Sequence, residues 1–154
     1  NVDIHLVILG LGHHADHIKQ VENLITKLNL KDKVTLLNWT TREDVLNIIS
    51  KSKLYLSTAR YEGLPYSIIE SLALAIPCVV SDCDGNRDLI TNDYNGYCIK
   101  ENNTLEFSNK IGVLLQDEKL YDEFSKNAKN TFEDGHNIYK KIKDLESIYR
   151  DQLK

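Results

Sequence analysis

The sequence predicts an α/β domain of Rossmann type, a parallel sheet flanked by helices, with residues 1–154 forming one domain. Three observations carry that prediction. Short apolar runs recur along the chain, and between them lie longer segments with apolar residues at steps of three and four. Strands that alternate with helices of ten or more residues build right-handed βαβ units, which make the sheet parallel. A chain of 154 residues also buries roughly 70% of its unfolded surface, enough for a real core.

The elements follow in order. Ile4 to Leu9 is a buried strand closed by Gly10-Leu11-Gly12, a tight turn in which Gly10 takes positive φ. Ile18, Val21, Leu24, Ile25 and Leu28 then line one face of a helix, which Asn29 and Lys31-Asp32-Lys33 end. Val34 to Leu37 is the second strand. Thr40 or Thr41, followed by Arg42-Glu43-Asp44, caps the next helix, because a hydroxyl accepts from free amides and acids suit the positive dipole end. Leu54 to Ser57 is the third strand, and a helix after Pro65 turns Ile68, Ile69, Leu72 and Ala73 inward until Pro77 stops it. Cys78 to Val80 is the fourth strand, Asp82 to Asp88 a polar loop, Asn92 to Gly96 a turn, and Tyr97 to Ile99 the fifth strand. From Thr104 onward the pattern is helical, and its last helix holds Ile138, Tyr139, Ile142, Leu145, Ile148 and Tyr149.

Composition excludes several classes. Net charge is −4, and positive runs such as Lys140-Lys141 are short and read as a solvated helix face, so nucleic acid is not an expected partner. Three cysteines without a CxxC pair favour reduced thiols in a cytoplasmic setting over zinc or disulfides. Leu72 to Val80, the longest largely apolar run, is broken by Pro77 and falls far short of the roughly 20 residues of a membrane helix. NVDIHLVILG has no basic leader and enters a strand at once, so a chain start cut inside a larger fold is expected.

In a doubly wound sheet, ligands bind beyond the carboxyl ends of the strands, where loops enter helices. Gly10-x-Gly12 is a weak dinucleotide fingerprint: Ala15 stands where a third glycine belongs, and no acid closes the following strand. His13, His14 and His17 lack a carboxylate or cysteine partner at metal-ligand spacing, so they read as turn and helix-start residues and no metal is expected.

The stretch YEGLPYSIIE, from Tyr61 to Glu70, is more informative. Gly63 permits unusual backbone angles, and Pro65 suits the first helical position. The amides of Tyr66, Ser67 and Ile68 are then free at a helix start, where an anion such as phosphate is favoured by about 0.3–1 kcal/mol. Glu70, one turn inside, lies about 7–8 Å along the axis, near the span from a diphosphate to a ribose, and Glu62 lies on the other side, where a sugar belongs. A plainer alternative has Glu62 capping the helix and Glu70 on its wet face.

Glu62 and Glu70, seven residues between them, sit in STARYEGLPYSIIESLALAIPCVVSD, which closely resembles the E-x7-E motif of the retaining nucleotide-sugar glycosyltransferases of family 4. LVILGLG, EGLP, ESLALA, AIPCVV, SDCDGNRDLI and GHNIYKKIKDLESIY follow that family's order over almost the whole chain. The resemblance implies the C-terminal, donor-binding half of a GT-B fold, a hexosyltransferase of polysaccharide or lipopolysaccharide biosynthesis. It implies a UDP-sugar or GDP-sugar as substrate and no cofactor. Glu70 would bind the ribose hydroxyls, and Glu62, the catalytic candidate, would face the donor sugar. Gly63, Leu64, Pro65, Tyr66 and Ser67 would place amides around phosphate and sugar, with Gly10 nearby. Asn38 and Trp39 would meet the nucleobase through backbone contacts, although Asn38 replaces a usual glycine, and Pro65 removes one amide. Asp88 takes the place of a common glutamate and reads equally as a helix cap.

The same resemblance implies that an N-terminal domain, the first strand and the first helix are absent, and with them an Arg and a Lys to the diphosphate. Two charge-assisted contacts of roughly 1.5–3 kcal/mol each would go with them, so the fragment alone should be inactive. The acceptor, a glycan or lipid-linked sugar, would bind through that absent domain, and the complete protein could associate peripherally with the inner face of the cytoplasmic membrane. The alternatives are an epimerase-type nucleotide-binding GT-B relative and a non-catalytic module. Nucleotide binding separates the last from the others, and loss of transfer on Glu62→Gln separates the transferase from the epimerase.

Overall fold

The computed structural model describes residues 3–10 and 15–153, with side chains from His17 onward in the second segment. The chain divides into two compact units, residues 1–48 and 49–154. In the first, β1 (Leu6–Leu9) pairs in parallel with β2 (Val34–Leu37), Leu6 opposite Val34, and α1 (Ala15–Lys27) connects them. Gly12, His13 and His14 lie outside the described residues. β1 starts two residues later than Ile4, which is exposed. Asn29, at φ 56, ends α1 as expected, because Asn tolerates the left-handed region better than most residues. α2 (Arg42–Ser50) runs across the division at Ile48. Its start is a working cap: Thr41 Oγ1 accepts from the Asp44 amide at 3.2 Å, and the Thr41 and Thr40 hydroxyls donate to the Asp44 carboxylate at 2.7 and 2.8 Å.

The second unit holds the parallel sheet β3 (Tyr55–Ser57), β4 (Cys78–Ser81) and β5 (Gly96–Ile99), with β4 central. Its helices are α3 (Tyr66–Ala73), the short α4 (Asp84–Arg87), α5 (Thr104–Gln116), α6 (Glu118–Thr131) and α7 (Ile138–Gln152), with a π-helical turn at Phe132–His136. Strand residues alternate faces, so β4 feeds two cores. Cys78 and Val80 pack with Ile68, Leu72, Leu89, Ile90 and Ala128, while Val79 packs with Tyr97, Ile99, Leu114 and Phe124. Such continuous burial explains why β4 reads as an unbroken apolar run.

α3 ends at Ala73, earlier than a stop at Pro77 requires. Ala75 adopts φ 60, its amide donates to Leu72 O at 3.0 Å, and the Ile76 amide donates to Ser71 O at 2.9 Å. This pair of bonds closes the helix in a Schellman turn, and Pro77 only follows it. α7 forms as predicted, but its apolar residues stay exposed. The three cysteines are free, and burial pushes the Cys98 thiol up to about 11 and Cys78 higher still. No helix among the described residues is long and apolar enough to cross a membrane.

Candidate functional site

Within the second unit, the loop from β3 to α3 carries most of the predicted residues. Two bonds from the β4 end shape it. Ser81 Oγ donates to Ala59 O, and the Gly85 amide in α4 donates to Glu62 O at 2.9 Å. A Cβ on Gly85 would lie 2.4 Å from Gly63 O and 2.6 Å from Glu62 O, so glycine alone lets the two loops meet. Gly63 differs. Its φ is not in the left-handed region, and a Cβ there would meet nothing within 4 Å. The expectation that Gly63 supplies a special backbone angle is therefore corrected: a side chain at 63 would change only the open space in front of it.

Pro65 is the N-cap of α3, at φ −72 and ψ 101, rather than the predicted first helical residue, a position that Tyr66 takes. The cause is its carbonyl, which accepts from Ile68 at 3.1 Å and Ile69 at 3.3 Å and so closes the first turn. Ile68, expected to be a free donor, is engaged there. The unpaired amides of the helix start belong to Tyr66 and Ser67, which have no helical carbonyl behind them. No side chain caps this start, which removes the alternative in which Glu62 is the cap. Glu70 is the fifth helical residue, about 6 Å along the axis from Tyr66, and it is half-buried rather than on a fully wet face. Glu62, Leu64 and Tyr66 are exposed, and Pro65 is buried.

Tyr55, at the start of β3, packs its ring against the first core, and its hydroxyl donates to Ser67 Oγ at 2.7 Å. Burial raises its pKa, the Ser67 bond opposes that, and the Cys78, Glu62 and Glu70 charges add to the rise. Both glutamates thus bear on one phenol. Beside Glu62 opens a cleft of about 570 Å³ lined by Arg60, Tyr61, Glu62, Gly63, Asp82, Cys83, Asp84 and Arg87. Its cations are partnered: Arg87 pairs with Asp82 at 2.8 Å and with Asp84, and Arg60 with Glu101 at 2.8 Å. Asp88 ends α4 with an exposed side chain and caps no helix start.

In the first unit, Gly10 takes φ 74, as its turn requires. Asn38 and Trp39 follow β2 directly, and Trp39 is 74% exposed, unusual for so large an apolar ring. Sequence reasoning passed over Tyr55, Gly85 and Arg60. Tyr55 reads as an ordinary strand aromatic, and only its contact with a residue twelve positions on gives it a polar task.

The family model for glycosyl transferases group 1 matches residues 1–131, most of the chain. The chain belongs to the group 1 glycosyltransferases. One relative of this glycosyltransferase is the UDP-Gal:α-D-GlcNAc-diphosphoundecaprenol α-1,3-galactosyltransferase of Escherichia coli, 33% identical over 147 residues, covering 96% of this chain and 37% of that protein. Among solved structures, an S. aureus TarM variant in complex with fondaparinux, α-GlcNAc-glycerol and UDP is 26% identical with a TM-score of 0.80, covering 94% of this chain and 29% of that one. Anabaena HepE in complex with UDP and glucose shares the fold, at TM-score 0.85 and 19% identity over 98% of this chain and 41% of that one. These neighbours are GT-B glycosyltransferases, and the α/β fold with parallel sheets agrees with theirs. This group 1 glycosyltransferase chain spans about two fifths or less of the length of these relatives.

Proposed function

We propose that this chain is the donor-binding domain of a retaining hexosyltransferase of glycosyltransferase family 4, which transfers a sugar from a UDP-sugar or GDP-sugar to a lipid-linked or glycan acceptor. The observation that carries the reading is a helix start free of side-chain caps, set between a loop carboxylate and a half-buried carboxylate one turn inside. The Tyr66 and Ser67 amides and the positive end of α3 suit a diphosphate. Glu70, about 6 Å further along the axis, suits ribose hydroxyls. Glu62, whose carbonyl is tied to Gly85, would hold its carboxylate toward the donor sugar in the adjoining cleft. Open space at Gly63 leaves room for the ligand to approach. Leu64 and Pro65 complete that loop.

In the transfer itself, the acceptor oxygen bonds to the anomeric carbon as the bond from that carbon to the diphosphate oxygen breaks, on one face. The leaving diphosphate takes the acceptor proton. The helix start stabilises the departing charge, and no side chain of this domain is required as a base. Family membership, the TarM complex with UDP and the galactosyltransferase's lipid-linked acceptor support this assignment. The share of the relatives' length that the chain covers supports placing the acceptor site in a second domain of the complete transferase, and the galactosyltransferase's lipid-linked acceptor supports work at the cytoplasmic membrane face.

Glu70→Ala in the complete transferase should weaken UDP or GDP by roughly 1.5–3 kcal/mol, because charged hydrogen bonds to ribose are lost. Calorimetry showing unchanged affinity for both nucleotides would sink the assignment. Glu62→Gln should abolish most transfer while leaving sugar-free nucleotide affinity close to wild type. Equal losses in both would contradict its place at the sugar.

A further inference from the structure

Ser67 is held at two points. Its side-chain oxygen accepts from the Tyr55 hydroxyl at 2.7 Å, and its carbonyl accepts from Ser71 Oγ at 2.7 Å. A serine hydroxyl has one proton to give and two lone pairs to receive. Between a phenol and an alkyl alcohol, the more acidic phenol is the donor, so Tyr55 occupies a lone pair and leaves the Ser67 proton unassigned. Among the described residues, no group accepts that proton. Ser67 is also the second residue of α3, whose first two amides lack helical acceptors.

We infer that Tyr55 is a positioning residue that orients the Ser67 hydroxyl as a third donor, beside the Tyr66 and Ser67 amides, toward a diphosphate oxygen at the α3 start. This rests on the donor-site reading above and extends it to a side chain that does not itself touch the ligand. Hydrogen bonds in a chain strengthen one another, so a Ser67 that accepts from a phenol is a better donor than one that does not. The ring's packing against the buried cluster that holds Ile68, Leu72 and Cys78 fixes the phenol, and burial with the nearby carboxylates keeps it protonated, hence a donor.

The test compares UDP with uridine in calorimetry on the complete transferase carrying Tyr55→Phe, Ser67→Ala or both. Ser67→Ala should weaken UDP about tenfold, the loss of one hydrogen bond to a charged group. Tyr55→Phe should weaken UDP by a smaller factor, about threefold, and should add nothing when Ser67 is already alanine. Uridine, which lacks the diphosphate, should bind all variants equally. GDP and guanosine replace this pair if the protein binds GDP instead. A threefold loss shared by uridine would mean that Tyr55 merely supports the helix carrying Glu70, and would overturn the inference. So would a Tyr55→Phe enzyme with wild-type UDP affinity, or losses that simply add in the double variant. Incorporating 3-fluorotyrosine at position 55, a more acidic donor, should tighten UDP, and covers a phenylalanine variant that fails to fold; no tightening counts against the relay. The donor-site reading fails separately, when Glu70→Ala leaves nucleotide affinity intact or wild type binds neither nucleotide, and the inference falls with it.

Discussion

A glycine can be required by what stands beside it or by what must later approach it, and positions 85 and 63 divide these reasons. Gly85 presses its Cα against the Glu62 and Gly63 carbonyls and donates its amide to the first. Gly85→Ala should therefore force the loops apart and destabilise the protein by about 1–3 kcal/mol, read as a lowered urea midpoint. A midpoint equal to wild type would show that the loops do not pack as described. Gly63→Ala should leave the stability within about 0.5 kcal/mol of wild type, since the new methyl meets nothing and φ is ordinary. If the donor reading is right, the same substitution lowers sugar transfer, because the methyl enters the space the ligand needs. In the sequence the two glycines look alike. What distinguishes them is a contact across more than twenty residues, which no local pattern encodes, and the Tyr55–Ser67 bond was hidden for the same reason.

At the scale of elements, periodicity placed most helices and strands within a residue or two, because amphipathic spacing is a local property tied to burial. Ends were less legible where a cap used an unexpected residue. Ala75 holds a left-handed φ that costs an L-residue roughly 1–2 kcal/mol, and glycine there is free of that cost. Ala75→Gly should accordingly raise stability by about 0.5–1 kcal/mol even though it loosens the unfolded chain. A lower melting temperature would argue that the Schellman turn after α3 is not formed. The α2 cap gives a second expectation. The Thr41 and Thr40 hydroxyls hold the Asp44 carboxyl below the usual carboxylate range. A depressed folded value means that this contribution is present above the unfolded pKa, about 3.9, and is lost as pH falls through the lower folded value. Replacing both threonines with alanine should make the melting temperature fall less steeply below pH 4, and parallel acid limbs would count against the cap.

For the whole molecule, residues 1–48 and 49–154 form two compact units. Alternation of strands and helices could not show this, since both units contain it. Burial does. Among described side chains in residues 3–48, none is fully buried, whereas β4 alone buries Cys78, Val79 and Val80 completely. Residues that line a core on both faces of a strand exchange their amides only when the sheet opens as a whole, while lightly covered strands open locally. The Val79 and Val80 amides should thus exchange among the slowest in the protein, and those of β1 and β2 faster by orders of magnitude in native-state hydrogen exchange. α3 should follow β4, because Ile68 and Leu72 belong to the same buried cluster as Cys78 and Val80. The carboxylates at 62 and 70 would then stand on the unit's best-protected scaffold, which is where a site needing fixed geometry about a diphosphate belongs. Equal protection in β1, β2 and β4 would contradict this hierarchy and, with it, the argument that the candidate site draws its rigidity from the second unit alone.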